Sequence, residues 1–136
     1  MRFGLGQVVL GQQGGQRASD AHVRELATAL ASTWAEETWT LRALGRAEGA
    51  QLAKQVAEFQ RRRHAALMDL SGERYDRAFV QLVAAEHELV LSSMDERHPR
   101  TERPAIRVWI ERVRPLVAEQ LAKARQLEAR LAPSGG

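Results

Sequence analysis

Near the C-terminal end of the chain, Ile106, Ile110, Val113, Val117, Gln120, Ala124, Leu127 and Leu131 recur at alternating steps of four and three. That spacing lines one stripe of an α-helix, because 3.6 residues make a turn. A second stripe of the same kind runs through Val23, Ala27, Leu30, Trp34, Glu37, Leu41 and Leu44. No stretch alternates with period two, and the chain has no Asn and hence no Asn-Gly hairpin signal. Helices joined by short loops can bury such stripes only against one another, so the fold class is all-α, an antiparallel bundle. The three-four repeat favours shallow crossing angles.

Punctuation between the stripes places the helices. Gly11-Gln12-Gln13-Gly14-Gly15 reads as a worn helix or linker, and Ser19-Asp20 can cap a helix that starts near Asp20. Leu52, Val56, Phe59, Leu67 and Leu70 mark a further periodic segment whose register weakens at Arg63, and Ser71-Gly72 is a turn signal. Tyr75, Phe79, Leu82, Val83, Leu89 and Val90 define the next helix, expected to end near Met94. Asp95 to Pro104 carries two prolines and six charged residues and reads as a loop, with Pro104 suited to the first turn of the last helix. Pro115 lacks a backbone donor and should kink that helix or break it near Arg114. The domain organisation expected is a short first helix with its Gly-rich linker over 1–18, the helical bundle over 19–132, and a disordered tail over 133–136.

Composition narrows the function classes. With 136 residues, 44% hydrophobic and 27% charged, the chain has the balance of one soluble globular domain. It has no cysteine, which removes disulfides and thiolate chemistry. No run approaches the roughly 18 apolar residues of a membrane span. The first ten residues hold one basic residue and an apolar run broken by Gly and Gln, a poor signal peptide, so the chain as written reads as cytoplasmic. The net charge of +3 and the run Arg61-Arg62-Arg63 allow an acidic partner, but arginines interleave with Glu along the helical segments as on a solvated face, and nucleic acid is not expected.

Polar residues on or beside apolar stripes are the places to look for chemistry. They are Glu37, the pair Glu86-His87, and Gln120, with Asp76 nearby. A carboxylate in a bundle core costs several kcal/mol unless it is paired, protonated or bound to metal. A di-iron bundle requires two Glu-x-x-His motifs on facing helices, and none is present. No cofactor is therefore expected, His87 and Glu37 being the weak metal candidates. No nucleophile elbow or phosphate-binding loop occurs either. Trp34 reads as core and Trp39, on another face, as a rim or contact residue.

Several short motifs together resemble a known family. They are Gln7-Val8-Val9-Leu10-Gly11, Ala18-Ser19-Asp20, Val23-Arg24-Glu25-Leu26-Ala27, Leu41-Arg42-Ala43-Leu44, the stretch Leu70 to Phe79, Glu86-His87, and Arg114 to Leu121. In order and spacing this is similar to a bacterial ferritin-like family of unknown function, usually exported and often labelled putative outer-membrane proteins. The resemblance implies a ferritin-like four-helix bundle with an extra connecting helix, and a periplasmic or envelope location. It also implies an N-terminally shortened first helix, since Met1 falls within it. Family histidine positions fall on Trp34, His87 and Gln120, of which only His87 is histidine here. A metal version of that site would be lost, leaving a hydrogen-bonded remnant of Glu37, His87 and Gln120.

The leading expectation is a non-enzymatic bundle with a structural or interaction role, in envelope or stress biology as the resemblance implies. The alternatives are a metal-binding or redox bundle using His87 with Glu37, Glu86 or Asp76, and a basic module that binds an acidic partner through Arg61, Arg62 and Arg63. A homo-oligomer would follow if a short first helix left an apolar stripe for another copy to cover.

Overall fold

The computed structural model describes the backbone of residues 2–44 and 62–132 and the side chains of 7–37, 62–96 and 98–132. Its elements are α1 (Arg2–Arg17), α2 (Ala21–Leu44), a helical segment α3 (62–67), α4 (Gly72–Arg97) and α5 (Pro104–Leu131). All regular structure among the described residues is helical. Three residues join α1 to α2, and six join α4 to α5, so each pair folds back as a hairpin. The hairpins then meet through α2 on α5 and α1 on α4.

Both stripes read from the sequence face the interior. Val23, Ala27, Leu30, Trp34 and Glu37 of α2 are buried, as are Ile110, Val113, Val117, Gln120 and Ala124 of α5. Leu41 and Leu44 lie outside the described side chains, as does Trp39; Arg61, Leu52, Val56, Phe59 and the 133–136 tail lie outside the described residues altogether. In α4, Tyr75, Phe79, Leu82, Val83 and Val90 are buried, but Leu89, counted with them on the apolar face, is exposed.

The Gly-rich stretch is helical. Gly11 to Gly15 lie within α1, and the connection to α2 is only Ala18 to Asp20. The reason is contact between backbones. A Cβ on Gly11 would stand 2.4 Å from the Ala27 carbonyl oxygen and 2.8 Å from the Ala31 nitrogen, and one on Gly14 would meet the Phe79 ring at 2.6 Å. Two missing side chains let α1 lie directly on α2. The helix-propensity cost of glycine, about 1 kcal/mol each, is offset by packing that bulkier residues would prevent.

The remaining boundaries follow local chemistry. Asp20 Oδ1 accepts the free backbone N–H groups of His22 and Val23 and starts α2. Gly72 adopts a φ of +58° at the entry to α4, a left-handed conformation that disfavours any L side chain. Helix α4 runs to Arg97, past the end expected near Met94, and the His98 N–H closes it on the Met94 carbonyl. Pro104 opens α5. The break expected near Arg114 does not occur, and α5 continues through Pro115, which is exposed, so water can satisfy the carbonyl its ring frees. Arg17 straps the turn after α3 by donating to the Met68 and Leu70 carbonyls while lying over the Tyr75 ring.

Candidate functional site

Among the described residues seven polar or charged side chains are buried, Gln7, Glu37, Asp76, Glu86, His87, Thr101 and Gln120. Glu37, Asp76, Glu86, His87 and Gln120 were singled out from sequence. The structure distributes these five over four separate groups.

Asp76, in the second turn of α4, reaches the α1–α2 connection. One carboxylate oxygen accepts the Ser19 N–H at 2.9 Å, and the other accepts the Ser19 hydroxyl at 2.6 Å and the Asp20 N–H at 2.8 Å. Charge-assisted bonds of this length are about twice as strong as neutral ones. Asp76 is therefore the fastening of one hairpin's turn onto the other hairpin.

Glu37 is tied to α5. Its carboxylate takes both terminal nitrogens of Arg112, at 2.8 and 2.9 Å, and the indole N–H of Trp109 at 3.1 Å. The paired carboxylate holds the Arg112 guanidinium above its ordinary pKa. Trp109 and Arg112 escaped the sequence reading. They stand three apart on one flank of α5, beside rather than on its apolar stripe, and nothing in the local pattern ties them to a carboxylate on α2.

His87 and Gln120 do come together, and Trp34 joins them. Gln120 Oε1 lies 2.8 Å from His87 Nε2 and 3.3 Å from the Trp34 indole nitrogen, and the two rings meet edge to face at 6.4 Å. The Trp34 indole N–H can only donate, so the Gln120 amide oxygen accepts it, whereas a neutral His87 donates through one ring nitrogen alone, to Gln120 Oε1 or to the Val83 carbonyl. The other ring nitrogen, Nδ1, lies 2.8 Å from the Val83 carbonyl. Burial pushes the His87 pKa below the ordinary histidine value, against opposing pulls from Gln120, Val83 and Glu86. The three family histidine positions of the resemblance thus converge here as one hydrogen-bonded group. Glu37 spends its bonds on Trp109 and Arg112 instead, so the expected remnant of Glu37, His87 and Gln120 is divided.

Glu86, next in sequence to His87, faces elsewhere. Its carboxylate meets Gln7 of α1 at 3.3 Å and His64 of α3 at 2.9 and 3.3 Å. Gln7 and His64 were also missed. Gln7 lies in step with Gly11, Gly14 and Ala18, a signal masked by the glycines, and His64 falls where the register of its segment weakens.

Among the described residues no three His, Cys, Asp or Glu side chains converge as a metal-ligand set. A groove of about 420 Å³ lined by Gln81, Ala84, Ala85, Glu88, Arg125 and Glu128 lies on the outer side of α4 and α5, spanned by an Arg125–Glu88 ion pair and reached by none of the buried polar groups. Arg62 and Arg63 are exposed on α3. No described helix is long and apolar enough to cross a membrane.

No curated protein and no solved structure matches the chain. A family model does match, over residues 1–127, and its description is a domain of unknown function, DUF4142. With nearly its whole length covered, the chain belongs to the DUF4142 family.

Proposed function

We propose that the protein is a non-enzymatic, ferritin-like four-helix bundle with a structural or interaction role. The ferritin-like arrangement is supported by two helical hairpins joined through the long connection 45–71, as folds with one crossover require. The observation that carries the non-catalytic reading is the use made of the buried polar groups. Glu37, Asp76 and the His87–Gln120 pair each tie one helix to another helix or to a connecting turn, and both oxygens of the two carboxylates are engaged there. Catalytic groups need capacity left over for a substrate.

Gln120→Leu tests this directly. Leucine completes the apolar stripe of α5, so a residue kept for function at the expense of stability should give a more stable protein when replaced. A fastening residue should give the opposite, because the amide that meets both His87 and Trp34 is lost. The expected result is a loss of about 1–3 kcal/mol in urea unfolding. A gain in stability would sink the structural reading.

A further inference from the structure

Glu86 is the buried carboxylate whose partners suit it least. Its side chain is fully buried, like that of Gln7. Glu37 is met by a guanidinium, and Asp76 by three short donors. Glu86 instead meets the Gln7 amide nitrogen at 3.3 Å and one imidazole nitrogen. The Gln7 amide carries a second irregularity, since its buried oxygen Oε1 accepts no hydrogen bond. Buried acceptors without a partner are rare and call for a physical cause.

Exchanging the places of the amide oxygen and nitrogen gives the unpartnered oxygen a role, and turns the amide N–H donors away from Glu86. Rotating the Gln7 amide by half a turn puts Oε1 where Nε2 stands, facing Glu86. Without a cation that sets two acceptors against each other; with a cation between them it completes a ligand set. We propose that Glu86, His64 and Gln7 bind a divalent first-row transition metal ion of the zinc type, through the Glu86 carboxylate, His64 Nε2 and Gln7 Oε1.

The spacing fits. Metal–ligand bonds of about 2.0–2.1 Å in tetrahedral geometry put neighbouring ligand atoms roughly 3.3 Å apart. Glu86 Oε2, the oxygen that would ligate, lies 3.3 Å from both His64 Nε2 and the Gln7 amide position, while Oε1 is hydrogen-bonded to Nε2 at 2.9 Å in the ion-free arrangement. The donor types are one imidazole nitrogen and two oxygens, one of them anionic, a set that suits zinc, cobalt(II) or nickel(II) and not calcium or magnesium. The His64 side chain is 18% exposed, which leaves an edge through which an ion can enter and a water can complete the coordination. The ligands come from α1, α3 and α4, so the ion would clip α3 to both hairpins. His87 is not part of this site, because its two nitrogens face Val83 and Gln120. The structural reading above stands whether or not the site fills.

The test uses the full untagged chain, treated with chelator and titrated with zinc chloride by calorimetry and with cobalt(II) chloride by visible absorption. The expected result is one ion per chain, a rise in melting temperature with zinc, and a cobalt d–d spectrum of a four-coordinate site. His64→Gln, at the edge of the fold, should weaken binding by more than about 100-fold, beyond the loss typical of an outer-shell partner, while leaving helix content unchanged. Glu86→Gln should do the same; if that variant does not fold, His64→Gln decides. A His22→Gln/His98→Gln variant, which removes exposed histidines elsewhere, should bind as the parent does. Absence of saturable one-to-one binding in the parent chain, or binding that survives His64→Gln, overturns the proposal.

Discussion

Two glycines four residues apart in α1 should respond to the same substitution with opposite signs. At Gly15, an added Cβ would find only the Thr28 hydroxyl at 3.8 Å, an ordinary contact. Gly15→Ala should therefore stabilise the protein by about 0.5–1 kcal/mol, the helix-propensity difference near a helix end. At Gly11 the same propensity gain applies, but the Cβ would stand 2.4 Å from the Ala27 carbonyl oxygen and 2.8 Å from the Ala31 nitrogen. Both are backbone atoms of α2 and cannot swing aside. Restoring van der Waals distance needs α1 to withdraw by roughly 1 Å, and tight packing resists shifts of that size. Overpacking typically costs about 1–3 kcal/mol, and backbone contact places Gly11→Ala at the upper end. The net expectation is a loss of about 2 kcal/mol, and since the propensity gain is common to both, the two variants should differ by the overpacking cost, about 3 kcal/mol. Urea unfolding followed by far-ultraviolet circular dichroism resolves this. In a thermal melt it corresponds to roughly 3–5 °C for each kcal/mol in a domain of this size. If Gly11→Ala stabilised as much as Gly15→Ala, α1 would not lie on the backbone of α2.

Two further outcomes follow from the buried polar groups and a third from the backbone. A double-mutant cycle between Glu37→Gln and Arg112→Met should give a coupling of about 1–2 kcal/mol, below the 3–5 of a fully buried pair. Arg112 is 50% exposed and water screens it; a coupling near zero would remove Glu37 from the fastenings. Because the folded pKa of His87 is depressed, the unfolded chain binds its proton more readily. His87 therefore contributes stability that is present above the unfolded value of about 6.5 and is lost as pH falls from there towards the folded pKa, by up to about 1.4 kcal/mol per pH unit. Unfolding midpoints at neutral and mildly acidic pH should show this loss, and His87→Gln should flatten it; an unchanged slope in the variant would rule out His87 as its source. Gly72→Ala should cost about 1–2 kcal/mol, since φ at that position is +58°, and a thermal melt unchanged by the substitution would argue against the left-handed entry to α4.

What could be read from the sequence was what side-chain bulk encodes. The α5 stripe from Ile106 to Leu131 is buried or half-buried at every position, Gln120 included, because each of its residues meets the interior in register. Helix α1 was legible only as a short first helix with a Gly-rich stretch that could equally be a linker, because its contact face is built from Gly11 and Gly14, whose part in the packing is the absence of a side chain. Leu89 misled in the other direction, since an apolar residue one step off a stripe can stay in water at little cost. Of the candidate residues, Gln120 and His87 were paired through the resemblance, and they do meet. The partners of Glu37 and Glu86 were illegible for a different reason. Arg112, Trp109, His64 and Gln7 lie on other helices, far along the chain from the carboxylates they meet. Periodicity reports which face of a helix turns inward and says nothing of which residue stands across the interface.

Asp76 offers the most direct measurement of whether the polar interior holds the helices together. It is 1% exposed and takes three donors from Ser19 and Asp20 on its two oxygens. Asparagine keeps the shape but offers one oxygen and a donating amide, so at least one of those donors loses its acceptor. At about 1–3 kcal/mol for a stranded donor, partly relieved by water at the exposed Ser19, Asp76→Asn should lower the urea-unfolding free energy by about 1–2 kcal/mol, with the slope in denaturant unchanged. A variant as stable as the parent, or more stable, would contradict a fastening role and mark Asp76 as a residue kept for a function its folding does not need.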